Sequence, residues 1–282
     1  MSLNGFSSWR NPRIFYLSRT APKIKLFCWL FKFAKTPSAN HNILKEKLLE
    51  IFGEETIGDI YGKHNIALCL PTLDAKTQKP VVLKTPHHND FKRDCKRKAV
   101  DACMATSAAP FYFPMAALTR VETMGLGYDV FVDGGLWANN PVLVGLVEAL
   151  LLAKEGQKIQ IVSVGTCNPP EGQSYDAEDC NRGALCWGLG SKALALSLDA
   201  QAYGHAEIAK KLAQHLRAPC QIIRLPSTPP SATDAPHFGL DKAYPQALKI
   251  LVDKATSDAR AIQSMYTSGN NSDISLLASI LM

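Results

Sequence analysis

The segment from Tyr128 to Leu152 constrains the fold of this chain more than any other. The strand-like run Tyr128-Asp-Val-Phe-Val132 leads into Asp133-Gly134-Gly135, and Asn139-Asn140-Pro141 precedes an apolar run that ends at Leu152. Asparagine favours a helix cap and proline the first helical turn, so the second run is predicted to be a helix. Because that helix is apolar nearly all round, we expect it to be buried.

Strands and helices alternate along the rest of the chain. The apolar spacing predicts helices at 43–52, 97–109, 191–217 and 243–264, and strands at 65–70, 80–83, 128–132, 159–164 and 220–225. Strand-helix-strand order favours a mostly parallel sheet that helices cover on both faces. The predicted fold class is therefore α/β.

Composition narrows the class of protein and its compartment. The eight cysteines are scattered with no compact spacing, which favours reduced thiols in a cytoplasmic protein over a disulfide or zinc framework. A net charge of +6 gives mild attraction to anionic surfaces, but no aromatic-plus-basic motif indicates a nucleic acid partner. We see neither a secretory signal nor a run long enough to span a bilayer, and peripheral contact with membranes stays open.

Asp133 is the leading candidate for a catalytic residue. A carboxylate at the end of a buried strand lies where open α/β sheets place their sites, although Asp-Gly after a strand also marks a plain tight turn. The context favours function. Ala105-Thr-Ser-Ala-Ala-Pro-Phe-Tyr-Phe-Pro114 precedes the triplet, and Leu136-Trp-Ala-Asn-Asn-Pro-Val142 follows it.

These motifs together resemble the patatin-like phospholipase family. The resemblance extends over residues 43–166 and also includes Leu48 to Asp59, the paired strands from Pro71 to Lys84, and Ser163-Val-Gly-Thr166. It implies a three-layer α/β fold and a lipid acyl hydrolase of the phospholipase A type.

The resemblance also implies a Ser-Asp dyad. In such a site a serine in G-x-S-x-G attacks the ester, an aspartate accepts its proton, and a glycine-rich Asp-Gly-Gly-Gly-x-Arg-Gly turn binds the oxyanion. Only the aspartate has a counterpart here, Asp133, with Gly134 and Gly135 allowing close backbone approach and Asn139 and Asn140 supporting the motif. Burial raises the pKa of a carboxyl group, which lets it accept a proton from a hydroxyl.

The nucleophile and the oxyanion turn have no counterpart among the 282 residues. Ser7 in Gly5-Phe-Ser-Ser-Trp9 lacks the second glycine, and Ser107 is expected to be a small packed helix residue. We therefore expect the chain to lack the first β-α-β portion of the fold.

Three hypotheses account for this. The sequence is the C-terminal part of an active enzyme whose true start lies upstream; or it is an inactive module that binds lipid or a partner; or a separate chain supplies the serine.

The sequence predicts one domain with an irregular start. Residues 1–42 are a basic and aromatic segment, residues 43–166 the patatin-like core, and residues 167–282 helices and a strand that complete the same domain. The first segment is either packed on the core or lies at a membrane interface, with aromatic rings among headgroups and lysines on anionic lipid.

The substrate is expected to be a lipid or a membrane surface. Phe111, Tyr112, Phe113, Met115 and Trp137 are candidates for an acyl-chain channel, although aromatic residues beside a buried strand are core residues as often. No metal or organic cofactor is predicted, since adjacent histidines on the loop at His87 and His88 are usually solvated. The oligomeric state is open.

Overall fold

The computed structural model describes residues 40–120, 127–166, 176–225, 227–239 and 242–268. Ser7, most of the basic segment 1–42 and the apolar tail at 274–281 lie outside these residues. The chain divides into two compact units, Met1–Asn139 and Asn140–Met282, which we call the first and second unit. Of the helices in the described residues, none has the length and apolar character that a membrane span requires.

The described part of the first unit contains four helices, and capping residues mark the start of the first two. The helices are α1 (His41–Phe52), α2 (Ile57–His64), α3 (Ala99–Thr106) and the single turn α4 (Gly135–Ala138). The prediction of α1 is confirmed: Asn40 caps its start, and Gly53 ends it with φ of +52°. Helix α2, which the apolar spacing did not predict, begins at a capping box formed by Thr56 and Asp59.

The sheet of the first unit is antiparallel, which corrects the prediction of a mostly parallel sheet. Its strands are β1 (Cys69–Asp74), β2 (Lys79–Lys84), β3 (Ala116–Thr119) and β4 (Tyr128–Asp133), in the order β2-β1-β4-β3. The four-residue connection between β1 and β2 is too short for a parallel crossover, so the two strands form a hairpin. β4 pairs antiparallel with both β1 and β3.

Helix α3 packs on this sheet through small residues. Ala99, Ala102 and Ala105 are almost fully buried and lie in one core cluster with Leu83 and Phe131. Alanine lets a helix backbone approach a sheet closely, because it adds no bulk beyond Cβ. The core of the first unit therefore holds the C-terminal end of α3 against β1 and β4.

An ion-pair network ties β4 to its neighbours at the end remote from Asp133. Asp129 receives Nη2 of Arg97 at 2.6 Å and Nε of Arg120 at 2.9 Å. Burial alone would raise the pKa of Asp129, but the hydrogen bonds and charges of the two guanidinium groups outweigh it and lower that pKa. These ion pairs link the first residues of β4 to Arg97, which precedes α3, and to Arg120, which follows β3.

The second unit contains the parallel pairing that the sequence predicted. Its elements are α5 (Val142–Leu152), β5 (Ile159–Ser163), α6 (Ser191–His215), β6 (Cys220–Arg224) and α7 (Pro245–Ser268). β5 and β6 run parallel, with Ile159 opposite Cys220. The α/β class is confirmed.

Helix α5 is less buried than its composition predicted. Val142 and Leu146, one turn apart, are buried in a core cluster with Ala209 of α6. Val147, Leu150, Leu151 and Leu152 are exposed instead. The expectation of burial all round is therefore wrong, because within this unit the helix contacts its neighbours along one stripe.

Candidate active site

Asp133 is the last residue of β4, and its backbone is held from two sides. Its residue partner across the sheet is Thr72 of β1. Its N–H donates to the carbonyl of Ala108, just beyond α3, at 3.1 Å. The side chain is half-buried at the carboxyl end of the strand. The backbone of Asp133 is therefore held in place, while its carboxyl group remains partly accessible to solvent.

The surroundings of the Asp133 carboxyl group make it a better proton acceptor than an ordinary aspartate. Burial raises its pKa, and the N–H of Gly135, which donates to Oδ1 at 2.6 Å, offsets only part of that effect. A base is most effective when its pKa approaches the working pH. The site therefore provides a carboxylate suited to accept a proton from a hydroxyl group.

The two glycines after Asp133 occupy crowded positions. A Cβ atom at Gly134 would lie 2.1 Å from the carbonyl oxygen of Pro71, which is backbone and cannot turn aside. A Cβ atom at Gly135 would lie 3.0 Å from Oδ1 of Asp133 itself. The Asp-Gly-Gly turn therefore lies directly on strand β1, and only glycine fits at its first turn position.

Side chains from α3 and α4 fasten β1 to this turn. Trp137 Nε1 donates to the carbonyl of Thr72 at 2.8 Å, and Thr106 Oγ1 donates to the carbonyl of Pro71 at 2.6 Å. Thr72 is itself fully buried and donates from Oγ1 to the carbonyl of Val132 at 2.8 Å. We call these four residues, Pro71, Thr72, Thr106 and Trp137, the β1 clamp.

The threonines of the β1 clamp are not predicted by any pattern in the sequence. Thr72 stands in a predicted strand and Thr106 in a predicted helix, where threonine is ordinary. Nothing in their spacing shows that each hydroxyl reaches a backbone carbonyl of another element. The signal was a β-branched polar residue in an otherwise apolar strand, which is too common to single out Thr72.

Residues 111–115, which we call the aromatic loop, follow α3 beside Asp133. Tyr112 and Phe113 are half-buried, and their N–H groups donate to the carbonyl of Ala109 at 3.2 and 2.9 Å. Phe111 differs from both, because 73% of it is exposed and its φ is +70°. Trp137, the fourth aromatic candidate, is half-buried in the β1 clamp.

The paired asparagines separate at the boundary between the units. Asn139 is an exposed residue that ends α4 in the first unit. Asn140 belongs to the second unit, where Oδ1 accepts the N–H of Val142 at 3.2 Å and Nδ2 donates to the carbonyl of Ala202 at 3.3 Å. Asn140 thus accepts the N–H of the first residue of α5, but the N-cap position belongs to Pro141, so the predicted asparagine cap and the predicted proline at the first helical position are both wrong by one residue.

Two other polar candidates make structural contacts. Ser107, which was expected inside the helix predicted at 97–109, is the C-cap residue of α3, and its hydroxyl donates to the carbonyl of Cys103 at 2.7 Å. His87 is half-buried, with Nδ1 2.7 Å from the hydroxyl of Thr85, whereas its neighbour His88 is exposed. The expectation that both histidines are solvated thus holds for His88 alone.

A family comparison covers this region. The family model described as patatin-like phospholipase matches residues 5–146, which is half of the chain and includes Asp133 to Gly135. The chain belongs to the patatin-like phospholipase family. The match begins ahead of the region at 43–166 that carries the resemblance.

Curated relatives of this patatin-like chain include three bacterial proteins named cGAMP-activated phospholipase. The Pseudomonas aeruginosa protein is 39% identical over 150 residues, covering 52% of this chain and 40% of the relative. The Vibrio cholerae protein is 29% identical over 233 residues, 79% of this chain and 62% of the relative. The Escherichia coli protein is 30% identical over 195 residues, 66% of this chain and 52% of the relative. The alignments thus cover between about two fifths and three fifths of these relatives.

Proposed function

We propose that this protein is a lipid acyl hydrolase of the phospholipase A type in which Asp133 is the general base of a Ser-Asp dyad. The observation that carries the proposal is the half-buried Asp133 carboxyl group, whose pKa burial raises, at the end of a strand that the β1 clamp fixes. Family membership supports the lipid ester as the substrate.

The proposed reaction has two steps, acylation of the serine and hydrolysis of the acyl-serine, and each step needs a proton acceptor. A serine hydroxyl attacks the ester carbonyl while Asp133 takes its proton, and the alcohol leaves with that proton when the tetrahedral intermediate collapses. Water then attacks the acyl-serine, Asp133 takes a proton from the water, and serine leaves with it. Asp133 returns to its starting ionisation in each half, so the cycle balances.

The 282 residues contain no G-x-S-x-G pattern, so the proposal assigns the nucleophile to residues outside them. A serine encoded upstream in the same reading frame and a serine from a separate chain both satisfy it. An inactive module that binds lipid or a partner through the same site is the alternative.

The half-buried aromatic side chains on the elements next to β4 are proposed to contact the acyl chain. Tyr112 and Phe113 belong to the aromatic loop, and Trp137 presents its indole ring from α4. Such rings offer an apolar wall next to a single polar group, which is the usual composition of a lipid-binding pocket.

We propose a cytoplasmic protein that acts at membrane surfaces.

Hydrolysis of a fluorogenic phospholipid tests the dyad. Two proteins are compared: residues 1–282, and the product of the natural reading frame with any residues encoded before Met1. We expect turnover only in a longer product that carries G-x-S-x-G, and a loss of about 10²–10⁴-fold in Asp133→Asn. Asp90→Asn, at an exposed aspartate of the same unit, is the matched control and should retain full turnover.

Two results contradict the dyad in different ways. Turnover that persists in Asp133→Asn removes Asp133 from the mechanism. Turnover by residues 1–282 alone that Asp133→Asn abolishes shows that the nucleophile lies within these residues.

We also propose that a cyclic dinucleotide controls the enzyme. Three relatives carry cGAMP in their names, and one of them aligns with 79% of this chain, which includes parts of both units. Thermal unfolding with and without cGAMP tests the proposal, with AMP and GMP as controls. At about 100-fold excess over Kd, binding adds about 2.7 kcal/mol and raises Tm. An unchanged Tm at saturating cGAMP contradicts it.

A further inference from the structure

We propose that the aromatic loop inserts Phe111 and Met115 into the lipid surface that carries the substrate, and so docks the first unit on that surface beside Asp133. The inference rests on the proposed lipid hydrolysis for its choice of partner. It goes beyond the acyl-chain channel, because it assigns Phe111 to contact with a membrane surface.

The first observation is the exposure of two large apolar side chains close together. Phe111 is 73% exposed and Met115 is 60% exposed. Single exposed apolar residues are ordinary, but these two share a five-residue loop, and no charged residue occurs between Ala108 and Thr119. The loop therefore offers an uncharged apolar tip, which an apolar phase accepts at no cost of desolvating a charge.

The second observation is the backbone of Phe111. Its φ of +70° lies in the left-handed region, which costs free energy for a bulky side chain and which glycine adopts freely. Two hydrogen bonds into the carbonyl of Ala109, from Tyr112 and Phe113, hold the turn in this conformation. A strained phenylalanine that points into solvent weakens the isolated fold, and such strain is typical of functional positions.

The third observation is the position of the loop relative to Asp133. Ala108, three residues before Phe111, accepts the N–H of Asp133 at 3.1 Å. The loop thus begins three residues from a backbone contact with Asp133, and the proposal places a partner bound by the loop close to the carboxyl group. Since the proposed substrate is a lipid, the partner that must reach this group is a lipid surface, and phenylalanine is well suited to its interfacial region.

Vesicle binding tests the proposal without turnover. The chain of residues 1–282 with Asp133→Asn is floated with neutral phosphatidylcholine vesicles at about 0.5 M NaCl, where screening suppresses attraction by the net charge of +6. Because Asp133→Asn removes the proposed base, binding and hydrolysis are read separately, and each proposal fails on its own measurement. We expect vesicle binding under these conditions.

Substitutions in the loop should remove this binding. Phe111→Ser should lower the partition onto vesicles by about 10-fold or more, since a phenylalanine side chain leaves the apolar phase. Met115→Ser should lower it further in combination. Ile66→Ser is the matched control, because Ile66 is an exposed apolar residue of the same unit outside the loop, and it should bind as the parent does.

A glycine variant separates docking from folding. Phe111→Gly relieves the left-handed backbone, so we expect a urea midpoint at or above that of the parent together with the same loss of vesicle binding. Since the parent already contains four tryptophans, each variant is compared with it: Phe111→Trp should add blue-shifted emission that brominated lipid quenches, and Ile66→Trp should add neither effect.

Several results overturn the proposal. They are vesicle binding that Phe111→Ser leaves unchanged, an equal loss in Ile66→Ser, and failure of the parent to bind neutral vesicles. A change of sedimentation coefficient in Phe111→Ser without a change in vesicle binding overturns it too, because the occupant of the loop is then a second copy of the chain.

Discussion

Replacing Gly134 by alanine should destabilise the protein, because it forces the Asp-Gly-Gly turn away from strand β1. The added Cβ atom would lie 2.1 Å from the carbonyl oxygen of Pro71, whereas real contacts of this kind stay above 3.0 Å. The Asp-Gly-Gly turn and strand β1 must therefore separate by about 0.9 Å. The obstacle is backbone on both sides, so no side-chain rotation can relieve it.

The cost can be estimated from the contacts that the separation disturbs. Overpacking in a rigid site costs about 1–3 kcal/mol. The hydrogen bonds from Trp137 to Thr72 and from Thr106 to Pro71 span the same interface and are worth about 1 kcal/mol each. We therefore expect Gly134→Ala to lower the free energy of unfolding by about 3–5 kcal/mol.

Urea denaturation followed by circular dichroism measures this loss. With a slope of about 3 kcal/mol per molar urea, the midpoint should fall by more than about 1 M. The matched control is Gly62→Ala in α2, where nothing lies within 4 Å of the added atom and alanine should stabilise the helix by about 0.5–1 kcal/mol. If Gly134→Ala unfolds within about 0.5 kcal/mol of the parent, the close packing of the turn on β1 is refuted.

Three further predictions concern the same site. Gly135→Ala brings the added Cβ atom to 3.0 Å from Oδ1 of Asp133, which is a movable side-chain atom. We therefore expect the free energy of unfolding, measured from urea midpoints, to fall by less than about 1 kcal/mol. The rate of hydrolysis should fall by at least about 10-fold, because the Asp133 carboxyl group is displaced. Burial raises the folded-state pKa of Asp133 above its ordinary value of 3.8, so its charged form opposes folding. Asp133→Asn should therefore stabilise the protein at neutral pH. This gain in the free energy of unfolding should shrink as pH falls through the raised pKa and vanish below 3.8. A gain that grows on acidification would contradict a raised pKa for Asp133. Thr72→Val removes a buried donor to the carbonyl of Val132 and should cost about 1–2 kcal/mol in the same urea assay, whereas an unchanged midpoint would show that this hydrogen bond does not hold β4.

Local patterns in the sequence predicted most of the elements, but α2 and β3 were not predicted, and β1 begins four residues after the start of the predicted strand at 65–70. The polar turn between β1 and β2, the end of α1 at Gly53 and the strand that leads into Asp133 follow from turn chemistry and apolar spacing. The sheet direction did not follow, because alternation of strands and helices leaves open which strands become neighbours. In the first unit the short connection after Asp74 decides it in favour of a hairpin.

The contacts around Asp133 depend on distances that the sequence does not contain. Thr72 and Trp137 are 65 residues apart and meet only because β1 lies on the Asp-Gly-Gly turn. The left-handed backbone of Phe111 is equally invisible, since an aromatic residue beside a strand is usually core. The family resemblance identified the catalytic candidate, and the structure supplied the contacts that position it.

The most direct test of Asp133 as the general base is the rate at which a fluorophosphonate probe labels the nucleophile in the product of the natural reading frame. The probe forms a bond to an activated serine and releases fluoride, and mass spectrometry identifies the labelled peptide. We predict one labelled serine in a G-x-S-x-G peptide, with labelling at least about 10²-fold slower in Asp133→Asn. Labelling at an equal rate in Asp133→Asn would contradict the assignment of Asp133 as the base.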